Sequence, residues 1–230
     1  MKDRYLYLLG GHSFQKESNR QFIEHAGGSN ARIALCIMNR PGWEEYVPLF
    51  QQLWEDAGAR NVQVIVPDQD GNLDMVQAER VLSQATGIFI GGGDTELYHQ
   101  YYATGRFKEL LIDCYMKGVP IAGNSAGALI LPEVCLISPQ DNVQGKLLFK
   151  QGVGLLTKIL ISVHYTEWGD QPNLLEGMRT KEIKHGIGID EQACAVFRNE
   201  QLAFSLGEAV HSITFKDFVL DEYMIERVTS

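Results

Sequence analysis

The stretch Ile121-Ala-Gly-Asn-Ser-Ala-Gly-Ala-Leu129 sets one serine between small residues, directly after a short apolar run and directly before a helix-like segment. This is the sequence form of a nucleophile elbow, a sharp strand-to-helix turn that holds the corner residue in a strained conformation. Gly123 and Gly127 give the neighbouring backbone room, so Ser125 is lifted clear of the sheet. At a helix N-terminus the amides of Ser125 and Ala126 are expected to point toward a developing negative charge, as acyl transfer requires. The same pentapeptide also serves as a plain tight turn packed through its small residues. Partners elsewhere in the chain must decide between the two readings.

Working outward, the first half alternates short β-rich runs with amphipathic stretches, the pattern of a mostly parallel sheet with helices on both faces. Strands are expected over residues 4–9, 32–38, 61–66 and 87–90, and helices over 43–57, 74–84 and 110–117. In the 43–57 stretch Tyr46, Val47, Leu49, Phe50, Leu53 and Trp54 recur near the helical period, and Gly58 supplies a stop. Beyond the elbow, 157–163 reads as a strand ending at His164, 172–184 as a helix, and 186–190 as a strand ending at Glu191. The runs 193–198, 201–205 and 210–215 suggest antiparallel strands on one edge, and 218–228 fits either strand or helix. The expected fold is a three-layer α/β sandwich forming a single domain over 1–230, with 45% hydrophobic residues to build its core.

A serine hydroxyl is a poor nucleophile at neutral pH. A histidine must take its proton, and a carboxylate must hold the imidazole in the useful tautomer. His164 and Glu191 fall at the C-terminal ends of expected strands, the edge at which Ser125 leaves its own, so these three form the candidate triad. Asp190, next to Glu191 on a strand, should point to the opposite face. Phe89-Ile-Gly-Gly-Gly-Asp-Thr95 also follows a strand and precedes a helical stretch; Asp94 or Thr95 can cap that helix. A glycine amide of this loop, with Gly92 preferred, is the candidate second oxyanion donor beside Ala126.

Taken in order, Gly10-Gly, Ile-Gly-Gly-Gly-Asp-Thr95, Gly-Asn-Ser-Ala-Gly-Ala128, Val-His-Tyr-Thr166 and Gly-Ile-Gly-Ile-Asp-Glu191 resemble the peptidase E and cyanophycinase family of serine peptidases over roughly residues 5 to 200. The resemblance implies a fold similar to class I glutamine amidotransferases, with serine at the elbow where those enzymes carry cysteine, and a triad in the order Ser125, His164, Glu191. It also keeps Asp141 as a rival triad acid, since an aspartate near that position has been proposed for peptidase E. Specificity is where the chain departs. Cyanophycinase-like members carry several arginines shortly after the histidine, whereas this chain has Tyr165-Thr-Glu-Trp-Gly-Asp-Gln171. Glu167 and Asp170 are therefore the candidate contacts to a substrate amino terminus or basic side chain, and Trp168 is a candidate wall of the pocket. Arg179 is the candidate counterpart of the arginine that peptidase E-like members use for an N-terminal aspartate. The expected function is a serine peptidase acting on dipeptides or short peptides.

Two other readings stand beside it. An α/β-hydrolase-type esterase would order its triad serine, acid, histidine and need Asp190 or Glu191 with His211, and the chain has no HGGG-type motif. A non-catalytic amidotransferase-like binding domain would carry a degenerate elbow. Charge and composition narrow the partners. A net charge of −9 with a pI near 5.1 and no Lys/Arg cluster gives no footprint for nucleic acid. No segment is long and apolar enough for a membrane span or signal peptide, so a cytoplasmic location, as monomer or homodimer, is expected. No cofactor or metal is expected. The four cysteines lack CxxC spacing, Cys36, Cys114 and Cys194 read as reduced core residues, and His12, His25, His99, His185 and His211 lack ligand spacing. His12 follows Gly10-Gly11 at a strand end, where it could line a pocket.

Overall fold

The computed structural model describes residues 2–228. Its elements begin with β1 (Tyr5–Leu9), α1 (Lys16–His25), β2 (Arg32–Cys36), α2 (Trp43–Asp56), β3 (Asn61–Ile65), α3 (Met75–Gln84), β4 (Gly87–Ile90), α4 (Thr95–Tyr102), α5 (Gly105–Met116), β5 (Ile121–Asn124) and α6 (Ala126–Leu129). The second half adds β6 (Val134–Ile137), β7 (Leu148–Gln151), β8 (Ile159–Val163), α7 (Gln171–Lys181), β9 (His185–Ile189), β10 (Ala193–Arg198), β11 (Gln201–Gly207), β12 (Val210–Asp217) and β13 (Glu222–Arg227).

The central sheet has the order β11-β10-β1-β5-β4-β2-β3, in which β1 to β5 run parallel while β10 and β11 form an antiparallel edge. Strand pleating sorts the side chains into two cores. Leu6 and Leu8 of β1 join Ile88, Ile90 and Ile121 on one face, under Leu82 of α3, Tyr102 of α4 and Leu111 of α5. Tyr7 and Leu9 join Ile33, Leu35 and Phe89 on the other, under Phe22 of α1 and Phe50 and Trp54 of α2. Burying a side chain such as Phe22 or Leu35 contributes about 1.5–3 kcal/mol, so these two faces dominate the favourable side of folding. The one polar atom of Trp54 is satisfied in place: its indole N–H donates to Asn19 Oδ1 at 2.7 Å.

Two expectations need correction. The strands ending near His164 and Glu191 belong not to the central sheet but to a second, four-stranded one in the order β13-β12-β9-β8, backed by Leu174 and Met178 of α7. For the same reason the 210–215 run is not on the edge of the central sheet. It pairs antiparallel with β9 and β13, and this settles 218–228 in favour of a strand. Periodicity identifies a strand but carries no information on which sheet it joins. The small hairpin of β6 and β7 and helices α1 and α4 were not expected. The two sheets meet where it matters for the site. The His164 amide, just past β8, donates to the Gly10 carbonyl just past β1 at 3.1 Å, and the Gly10 amide donates to Ala193 O at 3.0 Å.

Candidate active site

Ser125 sits at the corner between β5 and α6 with φ 50° and ψ −113°, a conformation L-residues avoid. Its neighbours explain how the turn closes so tightly. A Cβ on Gly123 would lie 2.4 Å from the Gly127 carbonyl oxygen, and one on Gly127 would lie 2.3 Å from that of Ile90. Only glycine lets both backbones approach. The Ser125 amide is not free to aim at a substrate, contrary to the expectation from sequence, because it donates to the Leu9 carbonyl at 3.0 Å. The amides of Gly127, Ala128 and Leu129 are likewise committed, to Gly91 O and, twice, to Ser125 O. Among the described residues the Ala126 amide has no acceptor, which leaves it as the uncommitted donor of this turn.

Past β8 the backbone of His164 also turns to positive φ, 47°, and its ring comes back toward the elbow. His164 Nε2 lies 3.0 Å from Ser125 Oγ, and Nδ1 lies 3.4 Å from Glu191 Oε2. With Nδ1–H facing the carboxylate, Nε2 is the nitrogen able to accept the serine proton. Trp168 stacks on the imidazole at 4.4 Å between ring centres and 18° between planes, restricting its rotation. Clearance for this arrangement comes from Gly11: a Cβ there would stand 2.2 Å from His164 Cε1 and 2.8 Å from Glu191 Cγ. Glu191 is itself 44% exposed, and its backbone N–H donates to both carboxylate oxygens of Glu167 at 3.1 Å. Asp190 turns away, accepting from the Thr166 hydroxyl at 2.6 Å and pairing with His211 at 3.2 Å. The histidine an esterase-type order would need is therefore engaged elsewhere, while His164 is the one on Ser125.

Gly92 approaches the elbow from the β4–α4 loop, where a Cβ would stand 2.8 Å from Asn124 Nδ2 and 3.2 Å from Ser125 Cβ. Asp94 caps α4 by accepting from Leu97 N–H at 3.0 Å. Ser125, His164 and Gly92 line one cleft of about 430 Å³, within the range of small-molecule sites.

The remaining candidates divide. Trp168 and Asp141 line the cleft; Glu167, Asp170 and Arg179 do not. Asp170 is buried at the head of α7, accepting from Ser138, Ser162 and Asn173, so it holds β8 and the α7 turn together and does not reach substrate. Arg179 points off the far part of α7 to Asp221 at 2.6 Å and Glu176. Glu167 is engaged with the Glu191 backbone. Asp141 does not meet His164; its carboxylate accepts from Thr95 Oγ1 at 2.5 Å, and burial first, with nearby Asp94, Asp170 and Glu96, pushes its pKa up to about 6. Sequence reasoning missed the opposite wall, built by Phe14, Arg40, Trp43 and Tyr46, with the Arg40 guanidinium 4.7 Å from the Tyr46 ring centre. No motif marks it; its signal was the cluster of aromatics in the 43–54 stretch, read there only as a helix face. His12 is part of the lining. Among the described residues no group of three His, Cys, Asp or Glu stands together to hold a metal ion, and no helix is long and apolar enough to cross a membrane. All four cysteines are free and buried, and burial pushes their thiols up.

A serine at a strained strand-to-helix corner, with a histidine and a carboxylate carried in from neighbouring strand ends, defines an α/β protein of the nucleophile-elbow class. The chain belongs to peptidase family S51, the family of peptidase E and the cyanophycinases, whose model matches residues 6–204. A cyanophycinase of Synechococcus elongatus is 26% identical over 200 residues, 85% of this chain and 62% of the relative. Another, from Geminocystis herdmanii (strain PCC 6308), is 26% identical over 207 residues, 86% of this chain and 74% of its own length. The chain thus spans about 62% of the length of the first of these curated relatives. Among solved structures, a peptidase from an acI-B1 Actinobacterium superposes with a TM-score of 0.73 at 18% identity, over 99% of this chain and 94% of that one. A protein of Listeria monocytogenes EGD-e named for peptidase E gives 0.60 at 14% identity, over 99% and 100%. Both share this fold.

Proposed function

We propose that the protein is a serine peptidase that hydrolyses dipeptides or short peptides through Ser125, His164 and Glu191. The observation that carries the reading is the 3.0 Å approach of His164 Nε2 to Ser125 Oγ in the lining of a cleft of peptide size. His164 takes the serine proton as Oγ attacks the peptide carbonyl, and the carbonyl oxygen gathers negative charge between the amides of Ala126 and Gly92. His164 then returns the proton to the leaving amine, whose departure leaves an acyl-serine. Water, deprotonated by the same imidazole, releases the acid. Glu191 keeps Nδ1 protonated and stabilises the imidazolium formed in each half. Membership of family S51 supports the reaction type, and the wall of Trp43, Tyr46 and Phe14 suits the side chain of a short substrate.

A panel of dipeptides and aminoacyl reporters tests it. The parent hydrolyses a subset, and Ser125→Ala loses about 10⁵- to 10⁶-fold in kcat, the scale seen when a triad nucleophile is removed. Hydrolysis that survives the substitution would overturn the mechanism.

A further inference from the structure

Asp141 closes the short turn Pro139–Asp141 after β6 and lines the same cleft as Ser125 and His164. Its carboxylate accepts from the Thr95 hydroxyl and, among the described residues, pairs with no Lys, Arg or His. The charges acting most on it are Asp94 and Glu96 on the β4–α4 side and Asp170 at the head of α7; Lys150 of β7 is held by Glu96 at 3.0 Å, and the cleft is also lined by Arg40, over the Tyr46 ring, and by the imidazoles of His12 and His164. A part-buried carboxylate with one neutral donor and three acidic neighbours is costly to keep ionised, and it is relieved by a cation entering the cleft. We propose that Asp141 is a specificity-determining residue that pairs with a positively charged nitrogen of the substrate. The inference rests on the peptidase reading of this cleft and deepens it: the preferred peptides carry an ammonium or guanidinium within reach of Asp141, supplied by a free α-amine or by a basic side chain.

The test compares matched peptides on the parent and on Asp141→Asn. One pair differs only in acetylation of the α-amine, with neutral side chains; the other is acetylated throughout and carries lysine or norleucine. Asp141→Asn lowers kcat/KM about 10- to 100-fold for the cationic member of one pair, chiefly through KM, as expected for losing a hydrogen bond to a charged group. The pair affected tells which nitrogen is held. In the parent, the preference for that member grows as pH rises through about 6, where Asp141 ionises, and the variant lacks this rise. A fall in kcat of equal size on all peptides would overturn the proposal in favour of a triad-acid or structural role, and so would an unchanged preference.

Folding is checked independently. The raised carboxylate pKa makes the native state bind more protons than the unfolded chain between about 4 and 6, so the ionised carboxylate lowers stability above that window and not below it. Asp141→Asn therefore unfolds at a higher urea concentration than the parent at pH 7, with the gain vanishing near pH 4. A variant less stable at pH 7 would mark Asp141 as structural and overturn the proposal. A parent inert on every peptide and unlabelled at Ser125 by a fluorophosphonate would instead overturn the peptidase reading, and this inference with it.

Discussion

Ser125 holds a backbone conformation that costs about 1–3 kcal/mol, and the surrounding structure keeps it there through the Leu9 carbonyl and two glycines with no room for a Cβ. The residues proposed to act with it were legible because chemistry restricts their types: a hydroxyl needs a base, and the base needs an acid. What sequence could not give is the direction of loop side chains. Asp170 and Asp141 are both aspartates near the proposed triad, yet one is buried against Ser138 and Ser162 while the other lines the cleft. Glu191 tests the account at this scale. It lies 3.4 Å from His164 and is half-exposed, longer and wetter than a strong charge-assisted bond. Glu191→Gln is expected to lower kcat by about 10²- to 10⁴-fold on every peptide, whatever its charge, because the amide can neither fix the tautomer nor stabilise the imidazolium. Steady-state kinetics on the matched pairs separates this uniform loss from the selective loss at Asp141.

At the scale of elements, the site is assembled where four strand ends converge. Ser125 leaves β5, Gly10 and Gly11 follow β1, His164 follows β8, and Glu191 follows β9 by way of Asp190. Reading the chain gave the strand ends but placed them all on one sheet. The actual arrangement brings a second sheet against the first, with the Gly10-Gly11 turn as the joint. That explains why a dipeptide far from the chemistry in sequence belongs to it in space. Gly11→Ala is expected to leave the fold intact and push the His164 ring off its 3.0 Å contact, lowering kcat about 100-fold, the effect of misplacing a reacting group by about 1 Å. Circular dichroism and kcat measured on the same preparation check this. A variant with parental kcat would show that His164 does not need the space Gly11 leaves.

Across the whole molecule, the parallel sheet and helices α2, α3 and α5 followed from hydrophobic periodicity, since pleating and the helical repeat bury fixed sets of residues. The cleft did not follow, because its walls come from segments distant in sequence: Phe14 after β1, Arg40 after β2, Trp43 at the start of α2, Asp141 after β6 and Trp168 after β8. Such a surface is defined by tertiary packing alone, and only its catalytic floor carries a motif. The central claim is that this floor holds an activated serine. Intact and peptide-level mass spectrometry after reaction with a small fluorophosphonate tests it most directly. The account predicts one adduct, on the peptide containing Ser125, abolished in Ser125→Ala and formed much more slowly in His164→Ala. An adduct on another residue, or none on Ser125, would contradict it.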